Sequence, residues 1–327
     1  MSEPTRLNPA QQRLQDELGA LPHDRPRFPD DLADRLRHEL EVEIAPLLAE
    51  VPEADRPLYV SKHDLMSVHG CEARFVAEQD TEFAWTVPLA RGSVAHKAIE
   101  LMVTWRGDPQ PLDLVEHAMA RLEHNERSVG LFIQSLDEAE RAELACAAND
   151  FVATFQETFP PLKRRWRPVA ESRVRADLCR DGLALSGRID LSLGRADGNT
   201  AGKVVIDLKT GRAQQGHRED LRFYALLETL KVGIPPRLLV SYYLDAGRPE
   251  IEPVTTELLD AAARRVADGV EKIVALRVAG ADAASTAPSG GCRFCPLAGV
   301  CEDGKRFLAG VDRDLDLGPT ADLLANA

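Results

Sequence analysis

Two short stretches carry residue types that could do chemistry on a charged substrate. The first, 204–211, reads Val204, Val205, Ile206, Asp207, Leu208, Lys209, Thr210, Gly211. Val204, Ile206 and Leu208 alternate as a half-buried strand requires, which sends Asp207 and Lys209 together to the other face. The second, 186–193, alternates in the same way, with Ile189, Leu191 and Leu193 on one face and Arg188, Asp190 and Ser192 on the other. The polar, glycine-rich connection 194–202 reads as a hairpin. Antiparallel pairing would set Asp190 beside Asp207, with Lys209 adjoining. Two carboxylates at that distance repel unless a cation lies between them. Oxygen ligands suit a hard ion such as magnesium or manganese.

A second set of reactive residues is Cys292, Cys295 and Cys301, in C-x2-C-x5-C order. Three thiolates leave one coordination position open, and Cys71 is the candidate fourth ligand. Six cysteines in a chain without a secretion signal read as ligands or buried thiols rather than disulfides. The spacing leaves both zinc and a [4Fe–4S] cluster open. Cys146 reads as a packing residue, and Cys179 as part of a polar turn. The Gly202-Lys203 pair lacks P-loop spacing and the Ser or Thr that would follow it.

The Gly187-Arg188-Ile189-Asp190 strand followed by Ile206-Asp207-Leu208-Lys209 resembles the core of the PD-(D/E)XK nuclease superfamily, in its RecB-like exonuclease branch. The resemblance spans 61–305. It implies a restriction-endonuclease-like α/β core: a central mixed sheet flanked by helices, with helical insertions and a cysteine-ligated metal staple. Gly92-x-x-x-His96 matches a segment that makes His96 a metal ligand in that branch. The implied ion, Mg2+ or Mn2+, is held by His96, Asp190, Asp207 and the Leu208 carbonyl, with Lys209 catalytic. Glu171 falls where the family often has a glutamate that supports this metal or a second one. Tyr224 matches the tyrosine of a Gln-x-x-x-Tyr segment, but Asp220 stands at the glutamine position. AddB-type nucleases and a CRISPR-associated RecB-like nuclease share the layout of one cysteine before the core and three after it. For Cys71, Cys292, Cys295 and Cys301 that similarity implies an iron–sulfur cluster.

The surrounding elements must position these residues. Helices are expected over 30–50, from a Ser61 cap with Asp64 as its acidic third residue, from Ser93 onward, over 112–127, 137–159, 218–231 and 258–278. Further strands are expected over 168–172, 237–245 and 251–255, and 281–291 reads as a flexible connection. Residues 1–60 read as an N-terminal helical, partly disordered extension, 61–305 as the nuclease domain, and 306–327 as a poorly ordered acidic tail. The run Lys163, Arg164, Arg165, Trp166, Arg167, with Arg188, is a candidate DNA contact.

The chain is 44% hydrophobic and 28% charged, as a folded, water-soluble protein should be. Its net charge of −13 argues against a large nonspecific nucleic-acid surface while permitting a local basic groove. No apolar run reaches membrane-spanning length, so a cytoplasmic protein without membrane contact is expected. The leading function is a metal-dependent DNA nuclease, an exonuclease acting on free or single-stranded ends in repair, recombination or defence, with any unwinding supplied by a helicase partner. A DNA-binding module with dormant nuclease activity and a zinc-stapled scaffold are the alternatives.

Overall fold

A computed structural model describes residues 6–52, 55–125, 127–214 and 216–316. Its centre is a mixed six-stranded sheet. The strands are β1 (Leu58–Ser61), β2 (Val169–Leu178), β3 (Leu183–Leu193), β4 (Val204–Lys209), β5 (Leu238–Tyr243) and β6 (Arg248–Pro253). They run in the order β1-β3-β4-β5-β6, and β2 pairs with β3. β1 and β4 are parallel to their partners β3 and β5 respectively, while the β2–β3, β3–β4 and β5–β6 pairs are antiparallel. The expected α/β core with a mixed sheet flanked by helices is what the chain adopts.

The pairing of β3 decides where a site can form. β2 takes one edge of β3 from Leu183 to Ser192. On the other edge, β1 covers only 183–186 and β4 only 191–193. Between them, Gly187 to Asp190 have no strand partner on that edge, and this gap receives the end of β1 and the end of β4.

Eleven α-helices among the described residues accompany the sheet: α1 (Pro9–Leu18), α2 (Leu32–Leu48), α3 (Lys62–Gly70), α4 (Glu72–Gln79), α5 (Val87–Thr104), α6 (Pro111–Asn125), α7 (Arg127–Ser135), α8 (Glu138–Thr158), α9 (Gly216–Val232), α10 (Thr256–Ala279) and α11 (Glu302–Asp316). One sheet face is covered by α2, α3, α9 and α10, through residues such as Leu36, Ile44, Leu65, Leu226 and Val270. The other is covered by α1, α5 and α8, through Leu14, Ala95, Ile99, Phe151 and Phe155. A third core lies wholly among α5, α6, α7 and α8. Because β4 is sandwiched, it is buried on both faces: Val205 packs on the first side, and Val204, Ile206 and Leu208 on the second.

Several expectations need correction. Ile189 packs in the first core and Leu191 and Leu193 in the second, so simple alternation fails between them. The break coincides with Glu171, which has φ +51° on the neighbouring strand, and the β2–β3 ladder skips the Glu171/Asp190 rung. The strand expected over 168–172 is ten residues long, so Glu171 lies inside it rather than at its end. The helix carrying His96 does not start at Ser93. It begins at Val87 behind Thr86, with proline in its first turn, where a missing N–H costs nothing. Cys146 is exposed and does not pack.

The segment 281–291, expected to be a flexible connection, is pinned. Ala73 N donates to Ser285 O (3.0 Å), and Glu72 accepts from both the backbone and the hydroxyl of Ser285 (3.0 and 2.7 Å). α2, assigned to the N-terminal extension, contributes Leu32, Leu36, Leu40 and Ile44 to the sheet core itself. The expected acidic tail is helical in α11 up to Asp316, and 317–327 lie outside the described residues.

Candidate active site

The gap on the β3 edge gathers charged side chains from six elements. Asp190 comes from β3. The β3–β4 ladder stops at Leu191↔Ile206. The next rung would place Asp190 opposite Asp207, but there the Asp190 carboxylate accepts the Leu208 N–H instead (2.7 Å). Its other oxygen lies 3.6 Å from His96 Nδ1. Glu171 arrives from β2, aimed by its left-handed backbone. A non-glycine residue in that region stores strain of about 1–3 kcal/mol, which persists only where surrounding structure enforces it. Among the described residues, His96, Glu171 and Asp190 form the group of three whose ligand atoms all lie within 4.8 Å of one another.

Asp207 is 2% exposed and faces two ammonium groups. Lys62 Nζ is 3.1 Å from Oδ1, and Lys209 Nζ is 2.6 Å from Oδ2. The second contact is close but not angled as a hydrogen bond, so the buried Oδ2 has no hydrogen-bond partner. Asp220, from the second turn of α9, closes the set, 3.1 Å from Lys209 and 3.6 Å from Lys62. Tyr224, one turn further along α9, is buried under Lys62, whose Nζ stands 5.1 Å from the ring centroid.

Two glycines make room for this arrangement. A Cβ on Gly187 would sit 2.5 Å from Tyr224 Cε1, and one on Gly92 would sit 3.1 Å from Thr210 Oγ1. The first lets α9 lie against β3. The second lets α5 approach the turn after Lys209, and this approach carries His96 to Asp190.

The electrostatics divide the site in two. Burial and the Asp190 charge push Glu171 above the usual carboxylate range. Burial opposes charge on His96, but Asp190, Glu171 and Asp207 outweigh it and raise its pKa. This half is short of positive charge and would accept a cation. For Asp207, burial favours the neutral acid, but Lys62 and then Lys209 overcome it and hold the carboxyl below its usual range. Lys62 is raised in turn, its burial outweighed chiefly by Asp207. Burial lifts Tyr224 to about 12, so it stays a neutral phenol. The donor set of one imidazole and several carboxylates fits a hard divalent ion.

The structure thus brings His96, Glu171, Asp190, Asp207, Leu208, Lys209 and Tyr224 together. Arg188 lies at the margin, 3.3 Å from Glu171. The basic run does not join them. Lys163 to Arg167 form a short turn at the opposite end of β4, where Gly194 N donates to Trp166 O (2.6 Å). Lys62 is the residue the sequence reading missed. The local signal for it is a cation in the first helical position of α3, where the helix dipole disfavours positive charge. Asp220, noted only as a departure from a motif, is the shared partner of both lysines.

The four cysteines also converge, around one small cavity between α4 and the C-terminal segment. Each sulfur accepts a backbone N–H: Cys71 from Ala287 (3.5 Å), Cys292 from Ser289 (3.3 Å), Cys295 from Leu297 (3.4 Å) and Cys301 from Gly304 (3.4 Å).

Comparison with known proteins gives three findings. The profile described as "PD-(D/E)XK nuclease superfamily" matches residues 59–302. No curated protein matches. Among solved structures, the chain is similar to "Crystal structure of SSO0001" at 15% identity and a TM-score of 0.34, over 83% of this chain and 96% of that one. That superposition is too loose to bear on function.

Proposed function

We propose, from the premise that the chain belongs to the PD-(D/E)XK nuclease superfamily, that it is a metal-dependent nuclease cutting DNA at free or single-stranded ends. The observation that carries this reading is the convergence of His96, Glu171 and Asp190 beside the Asp207/Lys209 pair. His96, Glu171 and Asp190 would hold a magnesium or manganese ion, with Asp207 and the Leu208 carbonyl adjoining. Bound there, such an ion lowers the pKa of a water and offsets charge on the scissile phosphate.

The protein's own groups do the rest. Lys209, 15% exposed at the site's mouth, donates to a phosphate oxygen as charge develops on it. Lys62 and Asp220 are positioning residues: Lys62 helps keep the buried Asp207 ionised, and Asp220 bridges the Lys62 and Lys209 ammonium groups. Tyr224 walls the site and supports Lys62. The exonuclease mode, a helicase partner, the repair or defence setting and a cytoplasmic location rest on the RecB-like resemblance and the soluble composition. No helix among the described residues is long and apolar enough to cross a membrane.

The cysteine set would hold a [4Fe–4S] cluster. N–H···S bonds to all four sulfurs support thiolate ligands. The choice of a cluster over zinc rests on the RecB-like resemblance, with one cysteine before the core and three after it.

The test is cleavage of end-labelled single- and double-stranded DNA, with manganese or magnesium, by anaerobically purified protein and its Asp190→Asn variant. Metal-dependent cleavage that drops about a thousandfold in the variant is expected. Equal activity in both would remove the mechanism. Iron and sulfide content of the same preparation tests the cluster, and zinc in place of iron would overturn it.

A further inference from the structure

A cleft of about 800 Å³ opens at the end of β4 remote from the carboxylates. Gln15, Asp16, Leu18, Arg25, Trp166 and Arg237 are among its lining residues, with Arg165 on its rim. The described molecule contains five buried side-chain polar atoms without a hydrogen-bond partner, and three of them line this cleft: Gln15 Oε1, Arg25 Nε and Arg237 Nε. The other two are the Asp207 oxygen beside Lys209 in the active site and Arg91 Nε.

Arg237 is only 8% exposed, and among the described residues no carboxylate pairs with it; its guanidinium donates to the Leu18 carbonyl. Arg25 donates weakly to the Ala20 carbonyl (3.5 Å). The two acids in the lining are turned to other partners: Asp16 accepts from Gln12 (2.8 Å), and Asp24 lies 3.6 Å from His23. Burial and then the neighbouring Arg25 charge push the Arg237 pKa down to about 10. Among the described residues neither guanidinium is ion-paired with a carboxylate, although Asp16 and Asp24 line the same cavity, and two guanidinium groups facing one cavity are unfavourable unless an anion joins them. Guanidinium forks match phosphate oxygens. Trp166 is half-buried with Lys163 near one ring face (5.8 Å), and an indole of this kind can stack a base. The volume falls within the usual range for small-ligand pockets.

We propose that this cleft is a nucleotide-binding site, with the phosphate held by Arg25 and Arg237 and the base laid against Trp166. The ligand is a phosphorylated nucleoside, either free or at the end of a nucleic-acid strand. The site is separate from the metal-binding carboxylates, so it can be tested without divalent ions and stands or falls independently of cleavage.

The experiment is calorimetric titration of the full chain in EDTA with dAMP, adenosine and a 5′-phosphorylated oligo-dT. Binding of dAMP and not of adenosine is expected. Arg25→Gln and Trp166→Ala should each weaken dAMP about tenfold or more. Both residues are at most half-buried, so these variants should fold even if Arg237→Gln does not. A tighter interaction with the oligonucleotide than with dAMP would assign the ligand as a strand end, and the reverse order as a free nucleotide. No heat with any phosphate ligand, equal binding of adenosine, or unchanged affinity in both variants would overturn the proposal.

Discussion

If both hold a metal as proposed, the carboxylate site and the cysteine site would do so in two different ways. The first is buried within the sheet and supplies its own counter-charges. Asp207 has two lysines, Asp220 bridges them, and the surrounding cores contain dozens of packed side chains. The second lies at the periphery, among short turns whose apolar residues are poorly covered. Phe294 is 85% exposed and Val300 71% exposed, and what holds the segment is backbone donation to sulfur and a few polar contacts. A site embedded in a core can fold before its ion arrives. A site with almost no core of its own draws its folding free energy from the metal. The first ion should therefore be needed for activity, and the second for structure.

The comparison is most exposed to a cysteine variant. Cys292→Ala should release the metal of that site and free 285–310 from α4, because structural metal binding is worth on the order of 10 kcal/mol. Limited proteolysis should then cut that segment rapidly while manganese binding at the carboxylates persists. An unchanged digestion pattern would mean the segment is held by ordinary packing.

Next in size is Asp207→Ala. The sequence alone suggests a variant that is inert but stable. The two lysines argue otherwise: breaking the buried charge network leaves two ammonium groups sharing one carboxylate, Asp220, and should cost about 3–5 kcal/mol. Denaturant unfolding of Asp207→Ala beside Asp190→Asn checks this, since Asp190 has no lysine within ion-pairing distance among the described residues. Equal stability of the two variants would dissolve the distinction between the halves of the site.

Glu171→Gln should be milder, weakening manganese by about 10–100-fold, a range typical of changes around a metal site. Calorimetry would read it, and an unchanged affinity would move Glu171 out of the ligand set. Smallest is the pH effect. Both His96 and Glu171 have raised pKa values in the metal-free protein, so each holds its proton more tightly than an isolated group would. The ion needs the neutral imidazole and the ionised carboxylate, so binding releases protons. Affinity should fall as pH drops through the His96 value and then the Glu171 value, by at most about tenfold per pH unit for each proton displaced. Titration in buffers of different ionisation enthalpy would count those protons, and a count of zero would contradict the assigned ligands.

Much of this site was legible because strand alternation is local. Asp207 and Lys209 are two residues apart, and a polar glycine-rich turn implied that β3 would fold back beside β4. Family resemblance likewise placed His96, and C-x2-C-x5-C spacing the three C-terminal cysteines, as candidates. Lys62 could not be read in this way. It lies 145 residues from Asp207, and it reaches the site only because β1 pairs in parallel with the first half of β3. The role of Glu171 depends on a backbone reversal within β2, and the same break sends Ile189 and Leu191 to different cores, which no alternation rule anticipates. The basic run was legible as a charge cluster, but its distance from the carboxylates was not.

By itself, then, the sequence determined the strands that present the acids, the helix that presents His96, and the cysteine spacing, because periodicity and turn chemistry act over a few residues. Only the tertiary structure decided which cation answers which acid, and that Arg25 and Arg237 face one cavity with neither ion-paired to a carboxylate among the described residues. Those outcomes depend on long-range strand pairing and on burial, which sets how strongly two distant charges act on each other.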